Sequence, residues 1–188
     1  MKKGEILKSR FEKILRDYLE YLGMKKEEVL ENTPRRFAKF LEEFTLALRE
    51  EYKDFKVFKS EYNQMVTLET TFYSLCEHHL LPFFGKVFVA YLPRTEVIGV
   101  SKIVKLVKHL ARKPTLQEEL TEEIAKEISK RLDVAGVAVC INAFHLCVAT
   151  RYKEGWLLTT SLGGVFKHNP FAKQEFLDYI KNRLEVRW

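Results

Sequence analysis

The sequence predicts an α+β fold in which an N-terminal helix pair precedes a mainly antiparallel sheet backed by helices. Between Ile6 and Phe44, apolar residues recur every three or four positions, which is typical of amphipathic helices. From Met65 onward, runs of β-branched and aromatic residues alternate with helical patterns. We therefore expect a helical region with its connection over residues 1–60 and a second domain over residues 61–188.

The two N-terminal helices are predicted from their apolar stripes and their ends. Residues 6–22 keep helical spacing, and Gly23 is well placed to end the first helix. Asn32 and Pro34 predict the start of the second helix, as its N-cap and its first helical residue. We expect the two helices to form an antiparallel pair, followed by a charged connection over residues 50–63.

The remaining elements mix strands and helices. In chain order they are paired strands over 65–74 and 86–92, a helix capped by Ser101, a helix from Pro114 to about Leu132, strands over 137–148 and up to Thr160, and a helix that Pro170 opens.

Length, charge and cysteine count limit the possible functions. A chain of 188 residues with 46% hydrophobic content can bury one good core, and it contains no apolar run of the roughly 18 residues that a membrane span needs. Its 32 basic against 26 acidic residues give a net charge of +6, which suits an anionic partner such as a nucleotide, a nucleic acid or a phospholipid surface. Three cysteines and no secretory signal indicate a reducing compartment, so we expect the cytoplasm.

Two short clusters have metal-ligand spacing. Cys76, His78 and His79 lie within four consecutive residues, and His145 and Cys147 are two residues apart. One turn can bring Cys76 and His79 to the same side, while the predicted strand over 137–148 would point His145 and Cys147 from one face. Thiolate and imidazole together are typical zinc ligands, so three or four donors are expected to converge.

The number of donors leaves three interpretations open. A catalytic zinc site uses three protein ligands and keeps a position for water, which would leave two histidines free for proton transfer. A closed site with two cysteines and two histidines would instead only hold two segments together. A disulfide between Cys76 and Cys147 is the third possibility.

Basic residues line one side of the helix that begins near Ser101. Lys102, Lys105, Lys108 and Arg112 follow one another at intervals of three, three and four residues. A helix start with a hydroxyl and lysines favours a phosphate group. The same stripe could also be a solvated face or, in a zinc module without catalytic activity, a surface for nucleic acid.

Several segments resemble, in order, the motifs of the zinc-dependent GTP cyclohydrolase I family. They are Cys-Glu-His-His-Leu-Leu-Pro-Phe-Phe-Gly-Lys (76–86), Val-Ile-Gly-Val-Ser-Lys (97–102), Leu-Gln-Glu-Glu-Leu-Thr (116–121), His-Leu-Cys (145–147) and Thr-Ser-Leu-Gly-Gly-Val-Phe (160–166). Asn-Thr-Pro-Arg-Arg-Phe-Ala-Lys (32–39) resembles the helical motif of the same family. The resemblance extends from about Leu30 onward.

The resemblance implies a catalytic T-fold domain over 61–188, whose sheets close into a barrel on oligomerisation. It also implies a homodecamer of two pentamers, with active sites at the subunit interfaces. By resemblance, the zinc ligands are Cys76, His79 and Cys147, and the proton-transfer groups are His78 and His145. The residues implied to bind substrate are Glu118 and Gln117 for guanine, Ser101, Lys102, Lys105 and Arg151 for the triphosphate, and Lys39 and Arg36 from a neighbouring subunit.

The family reaction converts GTP and water to formate and 7,8-dihydroneopterin triphosphate, the first step of folate and pterin biosynthesis. In the implied mechanism, a water activated by zinc attacks C8 of guanine while an imidazole protonates N7. This reading predicts neither a nucleic-acid nor a membrane partner. A related T-fold enzyme could stop at the formylated pyrimidine or form a cyclic phosphate. The chain departs from the commoner family pattern at Lys105, Asn142 and Tyr152.

Overall fold

The computed structural model describes residues 3–184, and it confirms the α+β prediction. The helices are α1 (Lys3–Tyr21), α2 (Glu27–Phe44), α3 (Val100–Leu110), α4 (Gln117–Arg131), α5 (Leu146–Tyr152), α6 (Val165–His168) and α7 (Pro170–Leu184). The strands are β1 (Val57–Lys59), β2 (Val66–Cys76), β3 (Pro82–Pro93), β4 (Glu96–Ile98), β5 (Pro114–Thr115), β6 (Val134–His145) and β7 (Trp156–Leu162). Within the described range, no helix combines the length and the apolar character that a bilayer crossing requires.

The chain divides into two compact units, one that ends at Leu46 and one that begins at Ala47. In the first unit, α1 and α2 pack antiparallel, as predicted. Lys8 near the start of α1 donates a hydrogen bond of 2.8 Å to Glu42 near the end of α2. The division into a helical region with its connection over residues 1–60 and a catalytic domain over residues 61–188 stays a prediction.

The predicted start of α2 at Asn32 was wrong, because the helix begins at Glu27. The side chain of Asn32 lies within the helix and donates to the backbone oxygen of Glu28 at 3.0 Å. Two acidic residues in the first turn favour the earlier start, since they complement the positive end of the helix dipole. Pro34 lies buried inside the helix, where it removes one backbone donor.

The second unit contains a five-stranded sheet in the order β5-β2-β3-β6-β7. All of its neighbouring pairs are antiparallel except β2 with β5, which confirms the prediction of a mainly antiparallel sheet. The helix predicted from Pro114 begins three residues later, because Pro114 and Thr115 pair with the end of β2. Strand β1 lies in the predicted connection and pairs with β4 in a separate small sheet.

The core lies mainly between one face of this sheet and helices α3 and α4. Its central side chains include Phe72, Val89, Leu106, Ile124 and Ile141. At one end of the opposite face, α6 and α7 cover a smaller cluster that contains Phe88, Cys140, Phe166 and Phe176. Both faces of the sheet are therefore used for burial, although to different extents.

Four aromatic side chains form a row across the other end of the second face. Tyr73, Phe84, Phe144 and Trp156 stand side by side on β2, β3, β6 and β7, with successive ring centroids 5.9, 6.1 and 5.4 Å apart. The two outer members are 66% and 53% exposed. Among residues 3–184, β7 has β6 as its one strand neighbour, so its outer edge is unpaired. We call these four residues the aromatic row.

Candidate active site

Cys76, His79 and Cys147 form a group that could hold a metal ion. One donor atom from each lies within 4.8 Å of the other two, and Cys76 Sγ is 3.6 Å from His79 Nδ1. Metal–ligand bonds of about 2.0–2.3 Å place the donors of a tetrahedral zinc site roughly 3.5 Å apart, so a small approach would complete the site. Two thiols and one imidazole fit zinc, and three donors leave a position for water.

A tight turn between β2 and β3 brings His79 back over Cys76. The backbone N–H of Leu80 donates to Cys76 O at 2.8 Å, and that of Cys76 donates to Leu81 O at 2.9 Å. Leu80 has a φ of 54°, an uncommon value for a branched residue. The turn leaves His78 and His79 exposed and Cys76 buried.

The prediction that His145 and Cys147 share one strand face was wrong. Strand β6 ends at His145, and Cys147 lies in the first turn of α5. The pairing of β6 with β7 ends at His145, whose N–H donates to Gly155 O at 2.8 Å. A Cβ at Gly155 would lie 2.6 Å from His145 O. A continuous apolar run cannot distinguish a buried strand from a buried helix turn, which explains the error.

Gln117 fixes the orientation of His145. Gln117 is 1% exposed. Its Nε2 lies 3.0–3.1 Å from three oxygen atoms, namely Ile141 O, Leu157 O and Thr159 Oγ1. Because the amide nitrogen faces these acceptors, Oε1 is left to accept from His145 Nε2 at 2.8 Å. This assignment places the hydrogen of neutral His145 on Nε2 and the lone pair on Nδ1.

His145 is buried in surroundings that favour its neutral form. Its ring lies flat against Phe83, with centroids 4.5 Å apart and planes at 7°. Burial lowers the pKa of His145, and the nearby carboxylate of Glu118 opposes that shift. A neutral imidazole with a fixed tautomer can accept a proton at Nδ1.

The three cysteines differ in their surroundings. Cys76 and Cys147 are buried next to each other, and the pKa of Cys147 is raised by burial and by its hydrogen bond with Cys76. Cys140 lies on the opposite face of the sheet, under α6 and α7, and burial raises the pKa of its thiol to about 12. Cys140 is thus separate from the candidate metal group.

Other predicted residues surround the metal group. Arg151 Nη1 lies 3.2 Å from both His79 Nε2 and Cys147 O, and Glu118 is exposed in the first turn of α4 beside Gln117. The fold brings together most of the predicted site, namely Cys76, His78, His79, Gln117, Glu118, His145, Cys147 and Arg151.

Three of the four residues predicted to bind the triphosphate, Ser101, Lys102 and Lys105, lie on α3, whereas Arg151 lies on α5. Ser101 is exposed in the first turn but is not the N-cap as predicted, because Gly99 occupies that position in extended backbone. Lys102 and Lys105 both bond to Asp54, a residue that our sequence reasoning missed. No motif marks Asp54, which lies in the charged segment that we interpreted as a connection.

Arg36 and Lys39 lie on α2, in the first unit. Both are exposed, and each has an acidic neighbour on the same helix. Arg36 Nη2 is 3.2 Å from Glu28, and Lys39 Nζ is 3.7 Å from Glu43. Exposed pairs of this kind contribute little to stability, so both cations are available for a partner.

Comparisons with known proteins agree with the motif resemblance. A family model described as GTP cyclohydrolase I matches residues 11–181. GTP cyclohydrolase 1 of Aquifex aeolicus (strain VF5) is 44% identical over 179 residues, which cover 93% of this chain and 97% of that protein. The corresponding protein of Sulfurihydrogenibium sp. (strain YO3AOP1) is 42% identical over 95% of this chain and 98% of its own length. That of Campylobacter jejuni (serotype O:23/36, strain 81-176) is 40% identical over 97% of this chain and 100% of its own. With similarity that runs almost from end to end, and with its Cys-His-Cys group assembled beside a buried histidine, this chain belongs to the GTP cyclohydrolase I family.

Proposed function

We propose that this chain converts GTP and water to formate and 7,8-dihydroneopterin triphosphate, as a hydrolase of cyclic amidine C–N bonds. The observation that carries the proposal is the Cys76, His79 and Cys147 group next to a neutral, oriented His145, in a member of this family. The proposed role in the cell is the first step of folate and pterin biosynthesis, in the cytoplasm.

Zinc is the proposed metal, and Cys76, His79 and Cys147 are its proposed ligands. When bound, zinc lowers the pKa of water toward neutrality and so supplies a nucleophile for C8 of guanine. The donor set supports zinc over harder cations, because thiolates are soft ligands. Arg151, which lies beside His79 and Cys147, would stabilise the two thiolates electrostatically.

His78 and His145, the two histidines of the motif clusters that are not proposed as ligands, are proposed to move protons. His145 presents a lone pair at Nδ1, because Gln117 holds the hydrogen on Nε2, and it can accept a proton from a ribose hydroxyl and return it. His78 is exposed on the turn that carries His79, from which it can donate a proton to N7 of guanine.

Glu118 and Gln117 are proposed to act in different ways. The exposed carboxylate of Glu118 can accept from N1–H and the exocyclic amine of guanine, which are both donors. Direct contact of Gln117 with guanine stays a prediction. Because its side chain is buried and fully bonded, we propose that it acts through His145.

The triphosphate is proposed to bind Ser101, Lys102, Lys105 and Arg151, with Lys39 and Arg36 supplied by a neighbouring subunit. Lys105 offers a single charge where the family often has an arginine, which makes its phosphate contact less directional. The proposed assembly is a homodecamer of two pentamers. The unpaired edge of β7 supports sheet closure between subunits, since a second chain can extend the sheet there.

The test is incubation of zinc-loaded protein with GTP under anaerobic conditions, with formate and oxidised neopterin measured together. Cys147→Ala should lose both zinc and product, whereas the matched Cys140→Ala should keep them, because Cys140 lies on the other face of the sheet. Equal amounts of formate and neopterin, both lost with a chelator, would support the full reaction. Formate without neopterin would mean that the ring is opened but not rebuilt. The absence of both products would refute the proposal.

A further inference from the structure

Asp54 forms ion pairs with Lys102 and Lys105, the two lysines that are proposed to bind phosphate. Its Oδ1 is 2.5 Å from Lys102 Nζ, and its Oδ2 is 3.2 Å from Lys105 Nζ. One carboxylate therefore bridges both ammonium groups, with one oxygen for each. These are the same groups that a bridging phosphate would contact.

The segment that carries Asp54 is held in place by other contacts. The hydroxyl of Tyr52 lies within donating distance of two backbone oxygens, 2.7 Å from Asp54 O and 3.0 Å from Lys102 O. The ring of Tyr52 packs beside His109 with centroids 5.6 Å apart, and Arg131 Nη1 donates to Tyr52 O at 2.9 Å. The position of Asp54 thus depends on α3 and α4 as well as on the lysines.

Asp54 is ionised wherever the site would work. The hydrogen bond from Lys102 is the main reason that its pKa lies below the usual range, and the bond from Lys105 adds to the effect. A permanently charged carboxylate lowers the positive potential that the two lysines present to an anion. A phosphate group that binds here must therefore displace the Asp54 carboxylate from the lysines or bind against its negative charge.

We propose that Asp54 is an internal counter-ion of the phosphate subsite, which occupies Lys102 and Lys105 in the free protein and is displaced by the triphosphate. The inference rests on the proposed function for the identity of the ligand. It has a consequence for selectivity. A triphosphate brings more negative charge to the two lysines than a monophosphate does, for the same loss of the Asp54 bonds.

The first measurement uses inorganic tripolyphosphate as a probe, by calorimetry on the zinc-loaded full chain at low ionic strength. Asp54→Asn should bind it about three- to tenfold more tightly than the wild type, because the competing charge is gone. The matched control is Asp133→Asn, with the same charge change. Asp133 accepts from Thr95 and pairs with Arg94 at the far end of β3, so its substitution should leave binding unchanged.

The outcomes separate this inference from the proposed function. Tighter tripolyphosphate binding by Asp54→Asn, together with a lower KM for GTP, would support the counter-ion role. Equal or weaker binding would overturn it, since Asp54 would then be neutral or would position the lysines for phosphate. No binding by either protein would also overturn it. The absence of formate release from GTP by the wild type would refute the proposed function alone, because the tripolyphosphate measurement does not depend on turnover.

Discussion

Replacement of Gln117 by leucine should reduce both stability and catalysis, because one buried amide serves both. The change removes the contacts of Gln117 with Ile141 O, Leu157 O and Thr159 Oγ1, and it leaves the Nε2–H of His145 without an acceptor. A lost hydrogen bond costs about 1 kcal/mol, and a buried unpaired donor about 1–3 kcal/mol. Since leucine recovers part of this through apolar burial, we expect a loss of about 2–4 kcal/mol in the free energy of unfolding, or a Tm lower by roughly 5–15 °C.

Catalysis should decrease beyond the loss of stability. Without the amide oxygen, neutral His145 is no longer held with its hydrogen on Nε2, and the Nδ1 lone pair loses its fixed direction. General acid–base catalysis contributes typically 100- to 10,000-fold, so partial loss of orientation should reduce kcat about 10- to 100-fold.

Two assays at fixed protein and zinc concentration would measure these effects, urea unfolding followed by circular dichroism and initial rates of formate release. Tyr91→Phe is the control. It removes one buried hydroxyl, which accepts from the backbone N–H of Ile98 with an N···O distance of 3.4 Å. Tyr91 lies near one end of β3, whereas His145 pairs with Phe83 at the other end. It should cost about 1 kcal/mol and leave kcat unchanged. A Gln117→Leu protein with kcat within twofold of wild type would refute the assigned role of Gln117, whatever its stability.

Three further predictions concern the metal, a thiol and a glycine. Chelation should lower both the Tm and the activity, because a metal that binds only the folded chain stabilises it. Calorimetry with and without added zinc measures the change in Tm. An unchanged Tm would argue against the Cys76, His79 and Cys147 site. Cys140, with its pKa raised to about 12, should resist iodoacetamide at pH 8 until the protein unfolds, as peptide mass mapping would reveal; labelling of native Cys140 at the rate of a free thiol would contradict its burial. Gly85→Ala should cost about 3 kcal/mol or more in urea unfolding, because a Cβ there would lie 2.0 Å from Asn142 O and the strands must shift; a loss below about 1 kcal/mol would mean that the strands adapt freely.

Local signals predicted the elements whose ends depend on nearby residues. Gly23, two residues beyond the end of α1, has a φ of 90°, which is a conformation that glycine adopts at little cost. Pro170 is the first residue of α7, as expected for proline, which lacks the backbone N–H that has no partner at this position of a helix. The start of α2 was missed because two local signals competed, an acidic first turn and a later Asn-Thr-Pro, and the sequence alone did not rank them.

The candidate site was predictable in part. The spacing within residues 76–79 and 145–147 predicted converging donors, and the grouping of Cys76, His79 and Cys147 agrees with that expectation. The contact of Gln117 with His145 depends on how α4 lies against β6 and β7, which no local pattern contains. The bond between Asp54 and Lys102 joins residues 48 positions apart, so spacing could not predict it either.

The aromatic row and the free edge of β7 have a consequence for how the protein is made. Within residues 3–184, a single chain exposes a row of four aromatic rings beside the outer edge of β7, whose backbone donors and acceptors have no strand partner. An edge of this kind accepts any extended segment, whether or not it belongs to the correct partner. A newly synthesised chain exposes this edge as soon as it folds, so non-specific strand pairing can occur before any specific contact covers the edge. Slow synthesis at low temperature should therefore yield more dispersed protein than rapid overproduction, in which chains meet before they have folded.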